Sequence, residues 1–190
     1  MKANMIYETQ PSVTIDIGYV TGTVNRTRTV PVGEAAIRQI CLYLKKLLEA
    51  HGISVLLTCE EGEDPEPKAR GDMAKGSDFF ISLRSNAMNR VMRGTNVFYS
   101  LFQPKNRAIA TRFSKETAAF FDHPDLGAKD MDFFKLLRYA VAAGCPYVFL
   151  AEIGFYDNWQ DRDILLQDEN QQKIAQIYAD IILDVLGVNN

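Results

Sequence analysis

Phe149-Leu150-Ala151-Glu152-Ile153-Gly154-Phe155-Tyr156-Asp157-Asn158 follows Pro146-Tyr147-Val148, so an apolar run leads to a carboxylate and then meets a glycine. A run of that composition predicts a buried strand of an open α/β sheet that breaks at Gly154. Such sheets place their binding sites at the carboxyl ends of the strands, and Glu152 falls there. A lone buried carboxylate is costly unless a cation or hydrogen-bond donors meet it. Two readings stand on this segment: a salt-bridged structural acid, or a group that works on a ligand. Both turn on what Glu152 faces.

Working outward, Ser12-Val13-Thr14-Ile15-Asp16-Ile17 is β-branched and stops at Gly18, which predicts a first strand. Residues 19–33 have no helical period and read as a long loop over the strand ends, in which Arg26 and Arg28 are solvated or form part of an anion site. Ile37, Ile40, Cys41, Leu44, Leu47 and Leu48 then recur at three- and four-residue spacing up to Gly52, a strong amphipathic helix. Residues 53–58, 78–83 and 94–100 read as strands, 67–75 as a short helix and 60–67 as an acidic surface loop. A helix is expected over 106–121, a helical turn at 161–166 and a final helix over 170–186, whereas 130–142 is ambiguous. Asn158-Trp159 either frames a cleft or caps a helix. The aromatic pairs Phe79-Phe80, Phe120-Phe121 and Phe133-Phe134 belong to core or sheet faces. Strand–helix alternation gives a single-domain three-layer α/β sandwich, a mostly parallel twisted sheet of about six strands flanked by helices. The expected organisation is a loosely ordered segment over 1–11 and one domain over 12–190.

Composition narrows the function classes. The 190-residue chain is 47% hydrophobic and 24% charged, with a net charge of −3 and no basic block, which argues against nucleic acid as a partner. No apolar run reaches the roughly 18 residues of a membrane span. The first residues carry no apolar signal region, so the expected location is cytoplasmic if this N-terminus is natural, and extracytoplasmic, at the cell wall, if a signal has been removed. Cys41, Cys59 and Cys145 are widely spaced and odd in number, the pattern of reduced buried thiols.

The order of segments resembles the zinc-dependent N-acetylmuramoyl-L-alanine amidases of the Amidase_3 type, which hydrolyse cell-wall peptidoglycan. Thr14-Ile15-Asp16-Ile17-Gly18-Tyr19 is similar to that family's opening strand and Asp-Pro-Gly-His turn. Arg70 and the segment Gly76-Ser77-Asp78-Phe79-Phe80-Ile81-Ser82-Leu83-Arg84-Ser85-Asn86-Ala87 resemble its arginine-bearing helix and Ala-Asp-Leu-Phe-Ile-Ser-Ile-His-Ala-Asn-Ala strand. Gly127-Ala128-Lys129, Leu136-Leu137-Arg138 and Leu150-Ala151-Glu152-Ile153-Gly154-Phe155 echo three later blocks in the right order. The resemblance covers almost the whole chain and implies an amidase-like fold.

It also implies a zinc ion held by two histidines and a glutamate, with a second glutamate as general base. Carried over residue by residue, the first histidine position is Tyr19 and the second is Arg84, while the glutamate ligand falls at Gly33, one residue from Glu34. Only the general-base position is kept, as Glu152. The two histidines of the chain, His51 and His123, match neither ligand position. A guanidinium has no lone pair to give a metal and stays protonated, so no zinc cofactor is expected. Arg84 is expected instead to occupy the cation position and to pair bidentately with Glu152.

The favoured reading is a catalytically silent amidase-like domain. Its degenerate cleft, formed by Tyr19, Glu34, Arg84, Asn86 and Glu152, would bind a peptidoglycan fragment, or the domain would serve a cell-wall-related protein partner in regulation. An active peptidoglycan amidase with rearranged metal ligands is the alternative. A third reading, a hydrolase using Cys145 or Ser85, lacks a placed histidine base.

Overall fold

A computed structural model describes residues 10–18, 32–60, 63, 65–130 and 134–188. The expectations for Tyr19, Arg26, Arg28 and Phe133, and for residues 1–9, lie outside the described residues.

Among the described residues, six strands form one sheet in the order β2-β1-β3-β6-β4-β5. They are β1 (Ser12–Ile17), β2 (Ser54–Leu57), β3 (Phe79–Asn86), β4 (Thr95–Tyr99), β5 (Asp125–Asp130) and β6 (Tyr147–Phe155). β2, β1, β3 and β6 run parallel, whereas β4 runs antiparallel to β6 and carries β5 with it. The middle strands are apolar on both faces because both faces are covered, as a near-parallel sheet requires. The edge strands β2 and β5 are much less buried.

One face packs against α1 (Val32–Ala50), α3 (Arg107–Phe121) and α6 (Asp168–Leu186). Ile37, Ile40, Cys41, Leu44 and Leu48 of α1 are all excluded from solvent there, the stripe that the sequence period predicts. Phe79, Phe113, Phe149 and Tyr178 meet ring against ring at its centre. The other face is covered by α2 (Pro67–Asp72) and α4 (Lys135–Ala142), over a smaller core of Phe80, Phe98, Leu136, Leu137, Val148 and Leu150. The two helices lie so close that a methyl group on Gly71 would come within 2.5 Å of the Tyr139 Cβ. A short α5 (Trp159–Leu165) follows β6. None of the helices among the described residues is long and apolar enough to cross a membrane. The three cysteines are free and buried.

Three elements differ from the sequence reading. β5 was not foreseen: Asp125-Leu126-Gly127-Ala128-Lys129-Asp130 has little strand character, and its pairing comes from the ladder that β4 offers. The ambiguous stretch contains α4, whose buried side is only Leu136, Leu137 and Ala140. β6 does not break at Gly154 but runs on to Phe155, because β3 continues alongside it as far as Asn86. Gly154 takes a φ of 148°, which other residues rarely adopt, and so lets the strand pass Phe121 and Asp161 at close range.

Candidate functional site

Strand register alone assembles the surroundings of Glu152. Across β3 its partner is Arg84, and across β4 its partner is Asn96. Directly paired residues project to the same face of a sheet, so the guanidinium, the carboxylate and the amide line up on the α2/α4 side. Arg84 Nη2 donates to Glu152 Oε1 at 2.5 Å. Asn86 Nδ2 and Asn96 Nδ2 donate to Oε2 at 2.7 and 3.0 Å. The pairing is therefore not the bidentate fork expected from sequence: Arg84 takes one carboxylate oxygen and the two amides share the other. The side chains of Arg84 and Glu152 keep only 7% and 10% of their exposure, which makes this a buried ion pair.

Arg84 is held from two further directions. Its guanidinium lies 4.6 Å from the centre of the Phe134 ring, a cation–π contact that favours a charge withdrawn from water. Gly18, at the end of β1, donates its N–H to the Leu83 carbonyl at 2.8 Å. A Cβ there would stand 2.8 Å from the Arg84 Cβ and 2.9 Å from the Leu83 carbonyl, so only glycine admits this approach. Tyr19 comes next in the chain, outside the described residues. Glu34 sits half-buried in the first turn of α1 and is engaged by partners of its own. Of the residues named from sequence, the structure thus brings Arg84, Asn86 and Glu152 together and adds Asn96 and Phe134. A polar residue within the apolar run of β4 was the available signal for Asn96; nothing in the sequence pointed to Phe134.

A second buried pair lies on the same face. Asp16 is fully enclosed, with Arg70 Nη1 at 3.0 and 3.1 Å from its two oxygens and hydroxyls of Thr58 and Ser82 at 2.6 Å each. With four bonds on two oxygens the carboxylate is saturated, the condition under which burying it is tolerable.

On the far side of β6, Asp161 makes a third node. Its Oδ1 accepts from Arg93 Nε at 2.8 Å and faces His123 Nδ1 at 3.1 Å, and its Oδ2 accepts the Phe155 N–H at 3.0 Å. His123 Nε2 in turn meets Thr95 Oγ1 at 2.8 Å, and the ring stacks on Phe121. The Asp–His–Thr order resembles a nucleophile relay, but the Thr95, His123 and Asp161 side chains are closed off from solvent and from each possible reactant. It is a clasp joining β4, β6 and α5. Burial by itself would raise the Asp161 carboxyl, but the hydrogen bonds from His123, the Phe155 N–H and Arg93 outweigh it and hold the group below its usual range. A depressed carboxyl contributes stability that is complete above the unfolded value of about 4 and lost as pH falls through the folded one. Urea unfolding at a series of acidic pH values is expected to show a steeper loss for the native chain than for Asp161→Asn; parallel curves would remove Asp161 from the acid response.

Among the described residues, the nucleophile candidates have no base beside them. Cys145 is buried, which pushes its thiol up to about 12, and its Sγ donates to the Tyr147 carbonyl. Ser85 Oγ is buried without a hydrogen-bond partner among the described residues. His51 bonds the Leu47 carbonyl and His123 is held in the clasp. Asn158 is a cap: its Oδ1 accepts the N–H groups of Gln160 and Asp161 at the start of α5, which leaves Trp159 61% exposed.

Three comparisons place this architecture among known proteins. The sequence profile of the N-acetylmuramoyl-L-alanine amidase family matches residues 13–184. The uncharacterized protein YqiI of Bacillus subtilis (strain 168) is 31% identical over 130 residues, which is 61% of this chain and 61% of YqiI. The chain thus spans about three fifths of the length of that relative. The catalytic domain of CwlV, an N-acetylmuramoyl-L-alanine amidase from Bacillus (Paenibacillus) polymyxa var. colistinus, superposes with a TM-score of 0.80 at 24% identity, over 95% of this chain and 100% of that one. The CwlD amidase of Clostridioides difficile, solved in complex with the GerS lipoprotein, gives 0.79 at 22% identity, over 95% and 100%. At these identities the likeness of the solved structures is one of fold.

Proposed function

The chain belongs to the N-acetylmuramoyl-L-alanine amidase family, and from that premise we propose that it is a member that binds the peptide-bearing wall fragment without cleaving it. The observation that carries this reading is the Arg84–Glu152 pair. Family resemblance puts a zinc-binding histidine at position 84 and a general base at position 152. In this chain the first is a guanidinium and the second is its counter-ion. A general base must be free to take a proton from an activated water. Here one oxygen is taken by a permanent cation and the other by two amides.

The residues present do not fit zinc. A guanidinium offers no lone pair, and a dication within ~4 Å of it would meet a repulsion of about 8 kcal/mol at an effective dielectric of about 20. Among the described residues, no three His, Cys, Asp or Glu side chains are grouped to hold a metal. What the site offers is recognition: a guanidinium and an amide at the carboxyl end of β3 and a second amide at the start of β4, beside the fixed carboxylate of β6. These are groups suited to the carboxylates and amides of a short peptide. A role in regulation through a protein partner is the companion reading, since the related CwlD is found with a lipoprotein.

The test is zinc content and turnover measured on the same sample. Protein purified without chelator and then soaked in zinc is expected to retain far less than one zinc per chain by elemental analysis. It is also expected to release no peptide from muramyl-peptide substrates, and to bind a soluble muropeptide equally with and without chelator. Near-stoichiometric zinc with chelator-sensitive hydrolysis would establish the alternative, an active amidase with rearranged ligands.

A further inference from the structure

We propose that the corner built from residues 88–92 and Trp159 is a docking surface for a protein partner, in the form of an apolar segment carrying an acidic residue. Met88, Val91 and Trp159 are 72%, 77% and 61% exposed, and Met92 adds to the same loop. Scattered exposed apolar residues need no explanation, but these are gathered on one loop and on the residue next to its clasp.

The loop is held rigidly in this presentation. Asp157 Oδ2 accepts the N–H groups of both Met88 and Arg90 at 3.0 and 2.9 Å. Asn89 Oδ1 accepts those of Val91 and Met92 at 3.0 and 2.9 Å. Asn158 Nδ2 donates to the carbonyls of Arg90 and Val91 at 3.3 and 3.2 Å, immediately before Trp159 in the chain. Arg90 itself takes a φ of 66°, which a non-glycine residue adopts only when its surroundings impose it. The polar side chains of this corner thus hold apolar side chains in water, and a preordered apolar surface binds with less entropy to lose.

The composition and charge of the corner point to the class of partner. Asn158 has both ends of its amide engaged, and the Asp157 and Asn89 oxygens named above already serve the backbone, so the loop presents chiefly the apolar side chains of Met88, Val91 and Met92 and the guanidinium of Arg90. Arg90 is exposed and is the one charged residue among positions 88–92, so a carboxylate on the partner completes the match. Aromatic and methionine side chains with an arginine are the residues that interfaces concentrate. The inference stands whether or not the cleft hydrolyses its ligand.

Trp159 is the only tryptophan of the chain, so its fluorescence reports occupancy of this corner directly. A random peptide library displayed on phage, panned against the intact protein, supplies the probes. Enriched peptides are expected to combine apolar residues with Asp or Glu and to shift Trp159 emission to the blue. They are expected to bind Val91→Ser about tenfold more weakly and to be replaced by basic sequences when Arg90→Glu is panned. Both substitutions are on exposed side chains, and circular dichroism checks that the fold is kept. The proposal is overturned if no enriched peptide moves the emission, or if Val91→Ser binds as well as the native chain. A shift produced by chito-oligosaccharides instead of peptides would make the corner a glycan platform. Concentration-dependent association abolished by Val91→Ser would make the occupant a second copy of the chain. None of these outcomes touches the zinc and muropeptide measurements, so either reading can fail alone.

Discussion

Glu152→Ala is expected to cost about 3–5 kcal/mol of stability, because it removes the carboxylate that a buried guanidinium faces at 2.5 Å. For a domain of this size that is a fall of roughly 10 °C in Tm. The loss also strands the amides of Asn86 and Asn96, which converge on the same carboxylate. Two companions separate the causes. Glu152→Gln keeps an acceptor for the amides but not the charge, and is expected to fall between the native chain and Glu152→Ala. Arg84→Met combined with Glu152→Leu removes both charges, and much of the loss is expected to return, as it does when apolar residues replace a buried pair. Thermal unfolding of the four proteins decides it. An unchanged Tm in Glu152→Ala would mean that the pair is solvated in solution and does not lock the Glu152 carboxylate.

Asp161→Ala is expected to cost about 3 kcal/mol, through a different mechanism. Three donors lose their acceptor at once: Arg93 Nε, His123 Nδ1 and the Phe155 N–H. Arg93 is partly exposed and can turn to water, but the histidine and the backbone amide cannot, so the penalty is concentrated in the buried half of the clasp. The distinguishing readout is local. Amide hydrogen exchange is expected to accelerate at Phe155 and around Thr95 before it does in the centre of the sheet. Uniform acceleration would mean that Asp161 supports the fold as a whole and that the clasp is not a separate unit.

Much of this architecture was legible in the chain, and the reasons are physical. β1, β3 and β6 are buried on both faces and therefore read as continuous β-branched and aromatic runs. α1 and α6 present one apolar stripe each and therefore show a helical period. The edge strand β5 and the short α4 carry no such signal, because what holds them is the neighbour they pair with. The Arg84–Glu152 pairing was foreseeable from two strand ends meeting at one site. Its stoichiometry was not: Asn96 reaches Glu152 only because β4 is inserted antiparallel beside β6, and sequence gave no register for that strand. The Asp161 clasp joins residues 95, 123 and 161, whose separation along the chain hides it from any local pattern.

The strand order has a consequence for how the protein comes into being. β6 is the sixth strand to leave the ribosome, yet it lies between β3 and β4. Until it arrives, β2-β1-β3 and β4-β5 are two separate ribbons, each with an open edge lined by unpaired backbone groups. Such edges invite pairing with other chains. The strand that carries Glu152 is therefore also the one that closes the sheet, and until it pairs the chain exposes the two edges that it will cover.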